Sequence, residues 1–199
     1  MRSSPRPGKW RRVAEPCGAL LLALVALRPC VASAEDDCRV GPVAVSLSGR
    51  DLRVDTALRP GLTAEVVQRL SSGLATTTSW EIRLYVDRGL LWPDGFKDHR
   101  RYDVTATYRP LSSDYSVERR LDGKLLEART VPTRATAAEA LESVRALPSF
   151  LMGPHLLDKS LYVRVRCTWG TGVALGVVPT NSVTGWTRSE TFTWTGEKD

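Results

Sequence analysis

Between Leu161 and Trp169 every second residue is apolar: Leu161, Val163, Val165, Cys167 and Trp169 alternate with Tyr162, Arg164, Arg166 and Thr168. A period of two belongs to a pleated strand, whose successive side chains point to opposite faces; a helix cannot gather such a pattern on one stripe. The segment is therefore a strand with one face in a core and the other, bearing Tyr162, Arg164 and Arg166, turned outward. Trp80, Ile82, Leu84 and Val86 repeat the pattern against Glu81, Arg83, Tyr85 and Asp87. Two such half-buried strands require an antiparallel sheet with one solvated face.

The rest of the chain fits around that sheet. Val43, Val45 and Leu47, the turn Ser48–Asp51, then Leu52, Val54, Thr56 and Leu58 predict a hairpin. Leu62, Val66, Leu70 and Leu74 recur every four residues, with Thr63 placed to cap and Gly73 to stop a short helix. Tyr102, Val104, Ala106 and Tyr108 form a strand after the Pro93-Asp94-Gly95 loop; Asp114–Arg119 and Lys124–Val131 follow across the turn at Asp122-Gly123. Thr136 and Glu139 have capping-box spacing, which predicts a second helix through Leu141, Val144 and Leu147 ending at Pro148. The last strand is expected over Trp186–Thr195, with Trp186, Arg188, Glu190, Phe192 and Trp194 on one side. The expected fold class is α+β: a single, mostly antiparallel β-rich domain over residues 43–195, about seven strands in a stacked or partly closed sheet over a Trp-rich core, with two short helices. Residues 35–42 lead into it and 196–199 fray.

The N-terminus has another character. Arg2, Arg6, Lys9, Arg11 and Arg12 precede the apolar run Gly18–Leu27, and Ala32-Ser33-Ala34 supplies small residues before Glu35. This is the pattern of a secretory signal over residues 1–34, with cleavage between Ala34 and Glu35. Ten apolar residues reach about 15 Å as a helix, half of a roughly 30 Å hydrocarbon core, so a retained anchor is the weaker reading. The expected destination is the periplasm or the extracellular side of the envelope by the general secretory route, with the membrane met only during export.

Charge changes meaning once that segment is set apart. The chain has 28 Lys and Arg against 22 Asp and Glu, but six of those bases and one of the acids lie in residues 1–34, leaving 22 against 21. Nucleic-acid binding needs a surplus of cations on one face and loses its support. Of four cysteines only Cys38 and Cys167 survive cleavage. In an oxidising compartment they are disulfide candidates, against a reading of Cys167 as a buried small hydrophobe.

Catalytic and cofactor chemistry has little to stand on. Only two histidines, His99 and His155, are present, and no HExxH, paired CxxC or GxSxG motif occurs. Asp94, Asp98 and His99 carry donor atoms, but Pro-Asp-Gly is turn chemistry and a solvated loop is the better reading; no metal and no cofactor are expected. Gly170-Thr171-Gly172 lacks the strand-to-helix setting of a phosphate loop. Arg164, Arg166 and Tyr162 share one strand face and are the ligand-binding candidates, able to grip a carboxylate or phosphate, against cross-strand pairing of the arginines with Glu81 or Glu190.

Read in order, Arg101-Tyr102-Asp103-Val104, Tyr108-Arg109-Pro110-Leu111-Ser112, Tyr115-Ser116-Val117, Ala140-Leu141 with Leu147-Pro148, Tyr162–Arg166 and Trp186-Thr187-Arg188-Ser189 with Trp194 resemble a family of exported bacterial proteins, domain of unknown function family 4390. The stretch Gly172–Thr184 departs from the family pattern. The resemblance implies a signal-bearing, single-domain envelope protein without established catalytic residues. Together these readings lead to the expectation of a non-catalytic binding or interaction module with an unknown envelope protein or ligand as partner. The alternatives are an envelope hydrolase built on a carboxylate pair and a carrier of a small apolar ligand.

Overall fold

A computed structural model describes residues 38–89, 92–174 and 178–196, with 171–174 and 178–180 described by backbone alone. The expected signal, its cleavage point at Ala34 and Glu35, the first lead-in residues and the tail from Glu197 lie outside the described residues.

The strands are antiparallel and form two sheets. The larger runs over β4 (Thr76–Val86), β5 (Gly95–Arg109), β6 (Asp114–Leu121), β7 (Lys124–Val131), β9 (Ser160–Ala174) and β10 (Val178–Val183), in the order β10-β9-β4-β5-β6-β7. Two short strands, β11 (Thr187–Arg188) and β12 (Phe192–Thr193), continue the β10 edge along β9. In the smaller sheet β3 (Asp51–Arg59) is central, with β1 (Arg39–Val40) and β2 (Ala44–Ser48) against it and β8 (Ser143–Leu151) also paired to it. Neither sheet closes on itself.

One apolar core joins them. Trp80, Ile82 and Leu84 from β4, Val104 and Ala106 from β5, Leu161, Val163, Val165 and Cys167 from β9, and Leu52 and Val54 from β3 are almost wholly removed from water. At about 25 cal/mol per Å² of apolar surface, such a cluster is the main favourable term in folding. Helices α1 (Ala64–Arg69), continued by a 3-10 turn over Leu70–Ser72, and α2 (Arg134–Glu142) add Val66, Leu70, Ala137, Ala140 and Leu141 to the same core. Thr78, buried on β4, donates to the Leu141 carbonyl at 2.9 Å and satisfies one of the orphan acceptors at the end of α2. Glu142, the last residue of α2, accepts from Leu62 N–H at 2.9 Å and lies so close to Gly61, at φ 127°, that a side chain there would meet its carboxylate.

The alternation over Trp80–Val86 and Leu161–Trp169 holds as predicted, that over Val43–Leu47 buries Val43 but leaves Leu47 exposed, and the second helix, the last strand and Leu74 are corrected. The second helix starts a turn earlier, capped by Thr133, whose side chain accepts from Thr136 N–H, and it ends at Glu142. Residues 143–151 are a strand, because β3 needs a partner on its second edge. Ala146 sits at φ 45° with its N–H bound to Asp55 Oδ1 at 2.7 Å, a bulge that breaks the period-two pattern and leaves Val144 and Leu147 at a helix-like spacing. The final strand is interrupted at Ser189–Thr191: Trp194 is buried, whereas Trp186 is half-buried on the other face. Leu74 falls beyond the Gly73 stop and is exposed rather than packed with Leu62, Val66 and Leu70.

Candidate functional site

With the inner face of the large sheet committed to the core, the outer face is where polar side chains gather on a rigid support. Cross-strand register sets their neighbours. Arg83 on β4 pairs with His99 on β5 and with Arg164 on β9, and Arg164 pairs in turn with Arg188 on β11. One pleat away Glu81 lies between Arg101 and Arg166; on the other side Tyr85 lies between Phe96 and Tyr162. Three arginines therefore stand side by side across three strands. Like charges directly opposite one another are unfavourable in a sheet.

The surrounding groups hold most of these cations in place. Arg166 donates to Glu81 Oε1 at 2.8 Å and Arg83 to Glu81 Oε2 at 3.3 Å. The hydrogen bond from Arg166 keeps the Glu81 carboxyl below its ordinary range although partial burial works in the opposite direction. Both guanidiniums lie over the Trp186 ring, 4.5 and 4.6 Å from its centre. Arg188 pairs with Asp87 at 2.6 Å and lies 3.7 Å from the centre of the Tyr162 ring. Asp87 is held low first by the Gly89 N–H and then by Arg188. Among the described residues the Arg164 side chain makes no ion pair and no hydrogen bond, and the residue is half-buried.

Of the sequence-predicted trio, then, each member has a different position. Arg166 is engaged by Glu81, the cross-strand partner considered for it. Tyr162 is only 2% exposed: its ring stacks on Tyr85 at 5.3 Å, and its hydroxyl donates to Asp94 Oδ2 at 2.5 Å. Burial first, and then the bond to Asp94, push its phenol up to about 12. Arg164 is left with its guanidinium uncommitted. Phe96, 52% exposed, meets Tyr85 edge-on at 5.7 Å and extends the aromatic row beside it. Beyond Glu81 the face opens into a groove of about 530 Å³, lined among others by Ser79, Arg101, Thr168, Asn181 and Arg69. Its floor is tied by Ser79 to Asp103 at 2.6 Å and by Thr77 to Thr105 at 2.9 Å.

The model of a domain of unknown function, DUF4390, matches residues 35–172. The chain belongs to the DUF4390 family. No curated protein and no solved structure matches it. Within the DUF4390 match lie Glu81, Arg83, Tyr162, Arg164 and Arg166, whereas Trp186 and Arg188, which complete the row, come from the segment after it. That row escaped sequence reading because only the strand order brings residues 83, 164 and 188 together.

The remaining candidates are dispersed. Asp94 is bound by Tyr162, Asp98 by Arg100 and by the backbone of His99, and among the described residues no three His, Cys, Asp or Glu converge as metal ligands. Cys167 is buried and Cys38 half-buried, its Sγ donating to the Gly61 carbonyl at 3.1 Å; both are thiols here. Burial pushes the Cys167 thiol well up, and Cys38 adds to the effect.

Proposed function

We propose that this DUF4390 protein is an exported, non-catalytic binding module of the bacterial envelope, and that the outer face of its large sheet is the binding surface. The observation that carries the reading is the row Arg83, Arg164 and Arg188, displayed on a rigid face and flanked by Phe96 on one side and an open polar groove on the other. Glu81, Asp87 and Asp114 are all pulled below the ordinary carboxylate range by arginine, serine or backbone donors. A general acid of the hydrolase alternative needs the reverse. The core is filled by Trp80, Leu52, Ile82, Leu84 and Met152, which favours a surface over an enclosed apolar ligand. Export would supply an oxidising setting, in which the two thiols Cys38 and Cys167 pair in a bridge.

Photo-crosslinking in cells tests the surface. A crosslinking residue at Phe96 or Thr105, on the outer face, is expected to capture a ligand or partner that the same residue at Leu151, on the smaller sheet, does not. Capture from Leu151 alone, or none above background from any position, contradicts the reading.

A further inference from the structure

We infer that Arg83, Arg164 and Arg188 form a binding site for a phosphate-type oxyanion, a deepening that rests on the outer face being the binding surface. Register places the three in one lateral row across β4, β9 and β11. The outer two are positioned by other groups: Arg83 by Glu81 and the Trp186 ring, Arg188 by Asp87 and the Tyr162 ring. Stacking on a ring engages the flat face of a guanidinium and leaves N–H groups at its edge to donate. The central one, Arg164, has no acid of its own among the described residues, and the exposed Glu190 makes no ion pair with the row. A half-buried guanidinium between two others is unfavourable unless an anion joins them.

The number of donors selects the anion. Three guanidiniums in a row present more N–H groups than the two oxygens of a carboxylate accept, whereas a phosphomonoester offers three non-bridging oxygens and a second charge. The organic part of such an ester has two places to lie: against the exposed Phe96, or in the groove beyond Glu81 with Ser79, Thr168 and Asn181. The phosphate can belong to a soluble ester or to a lipid headgroup; the site chemistry is the same.

The test is calorimetric titration of the mature protein with inorganic phosphate at constant ionic strength, with acetate as comparator. Saturable phosphate binding is expected, with acetate weaker. Arg164→Gln should weaken phosphate binding roughly tenfold or more, Arg164→Lys should fall between, and Lys124→Gln on the far edge strand should change nothing. Because Arg164→Gln is expected to stabilise the fold, its loss of binding is not a folding defect; a melting curve beside each titration checks this. Phenyl phosphate and phosphatidylcholine vesicles with and without phosphatidic acid separate the two sources, and binding to either supports the site. Phosphate binding that Arg164→Gln leaves intact, or no saturable binding to any of these probes, overturns it. If the outer-face crosslinks persist in that case, the oxyanion site fails while the binding surface stands.

Discussion

Replacing Arg164 with Gln should make the protein more stable, and the size of the gain can be worked from the register. Arg164 has a like charge directly across on each side, Arg83 and Arg188. Taking guanidinium separations on the order of 6–7 Å, a little wider than the cross-strand Cβ spacing, each repulsion is about 0.6–0.7 kcal/mol in a water-like dielectric. Glu81 and Asp87 offset part of the two, and Gln packs less of its stem, leaving a net gain of about 1 kcal/mol at low ionic strength. In a domain of this size that corresponds to roughly 2–4 °C in Tm. The gain should shrink to about half in 0.1 M salt and nearly vanish in 1 M, where the Debye length is about 3 Å. Arg166→Gln is the contrast: it removes the donor to Glu81 and should destabilise by roughly 0.5–1 kcal/mol. Urea melts of the three proteins at several chloride concentrations measure both effects. If Arg164→Gln is destabilising at every salt concentration, or its difference from the parent does not depend on salt, the repulsive row is wrong.

Other expectations follow from single contacts. Thr78→Val leaves the buried Leu141 carbonyl without its donor and should cost roughly 1–3 kcal/mol in a urea melt; an unchanged midpoint contradicts the helix-end role. The Tyr162 phenol is raised to about 12, so the folded state holds its proton more tightly than the unfolded chain does. Its contribution, roughly 2–3 kcal/mol, is whole below pH about 10 and is lost as pH rises toward about 12. Burial raises the Tyr102 phenol as well, so tyrosinate absorbance should show more than one late-titrating tyrosine, with Tyr162→Phe removing one of the late steps; all five titrating together, or a late phase that Tyr162→Phe leaves unchanged, would refute the burial argument. For the proposed export and bridge, alkylation of protein recovered from outside the cytoplasm, unfolded, before and after reduction, should label Cys38 and Cys167 only after reduction; labelling of both beforehand contradicts the proposed bridge.

The fold was legible where one face of a strand is buried along its whole length. Leu161–Trp169 and Trp80–Val86 read as strands because their apolar alternate residues are core and the residues between them face outward; the one irregularity beside them, opposite Leu84 and Tyr85, puts its extra residue on β5 and leaves their phase intact. Where a bulge intervenes, the pattern misleads. Arg145 and Ala146 shift the pairing of β8, so that Ser143, Val144, Leu147 and Phe150 are all buried at spacings that imitate a helix. At the C-terminus Trp186 and Trp194 read as one face, but the break at Ser189–Thr191 sends one to the outer surface and the other to the core. Half of the site was visible for the same reason: Arg164 and Arg166 had to point outward once their neighbours pointed in. Which of them stays uncommitted depends on which strands flank β9, and that is a property of topology. Glu81 pairs across to Arg166, and β11 brings Arg188 rather than an acid beside Arg164.

The most direct measurement of the oxyanion site is an NMR titration of the arginine Nε–H signals with inorganic phosphate. Saturable shifts are predicted for Arg83, Arg164 and Arg188, with Arg109, bound to Asp114, and Arg119, bound to Glu127, unmoved. Small shifts spread evenly over all exposed arginines, or none at Arg164, would contradict the account.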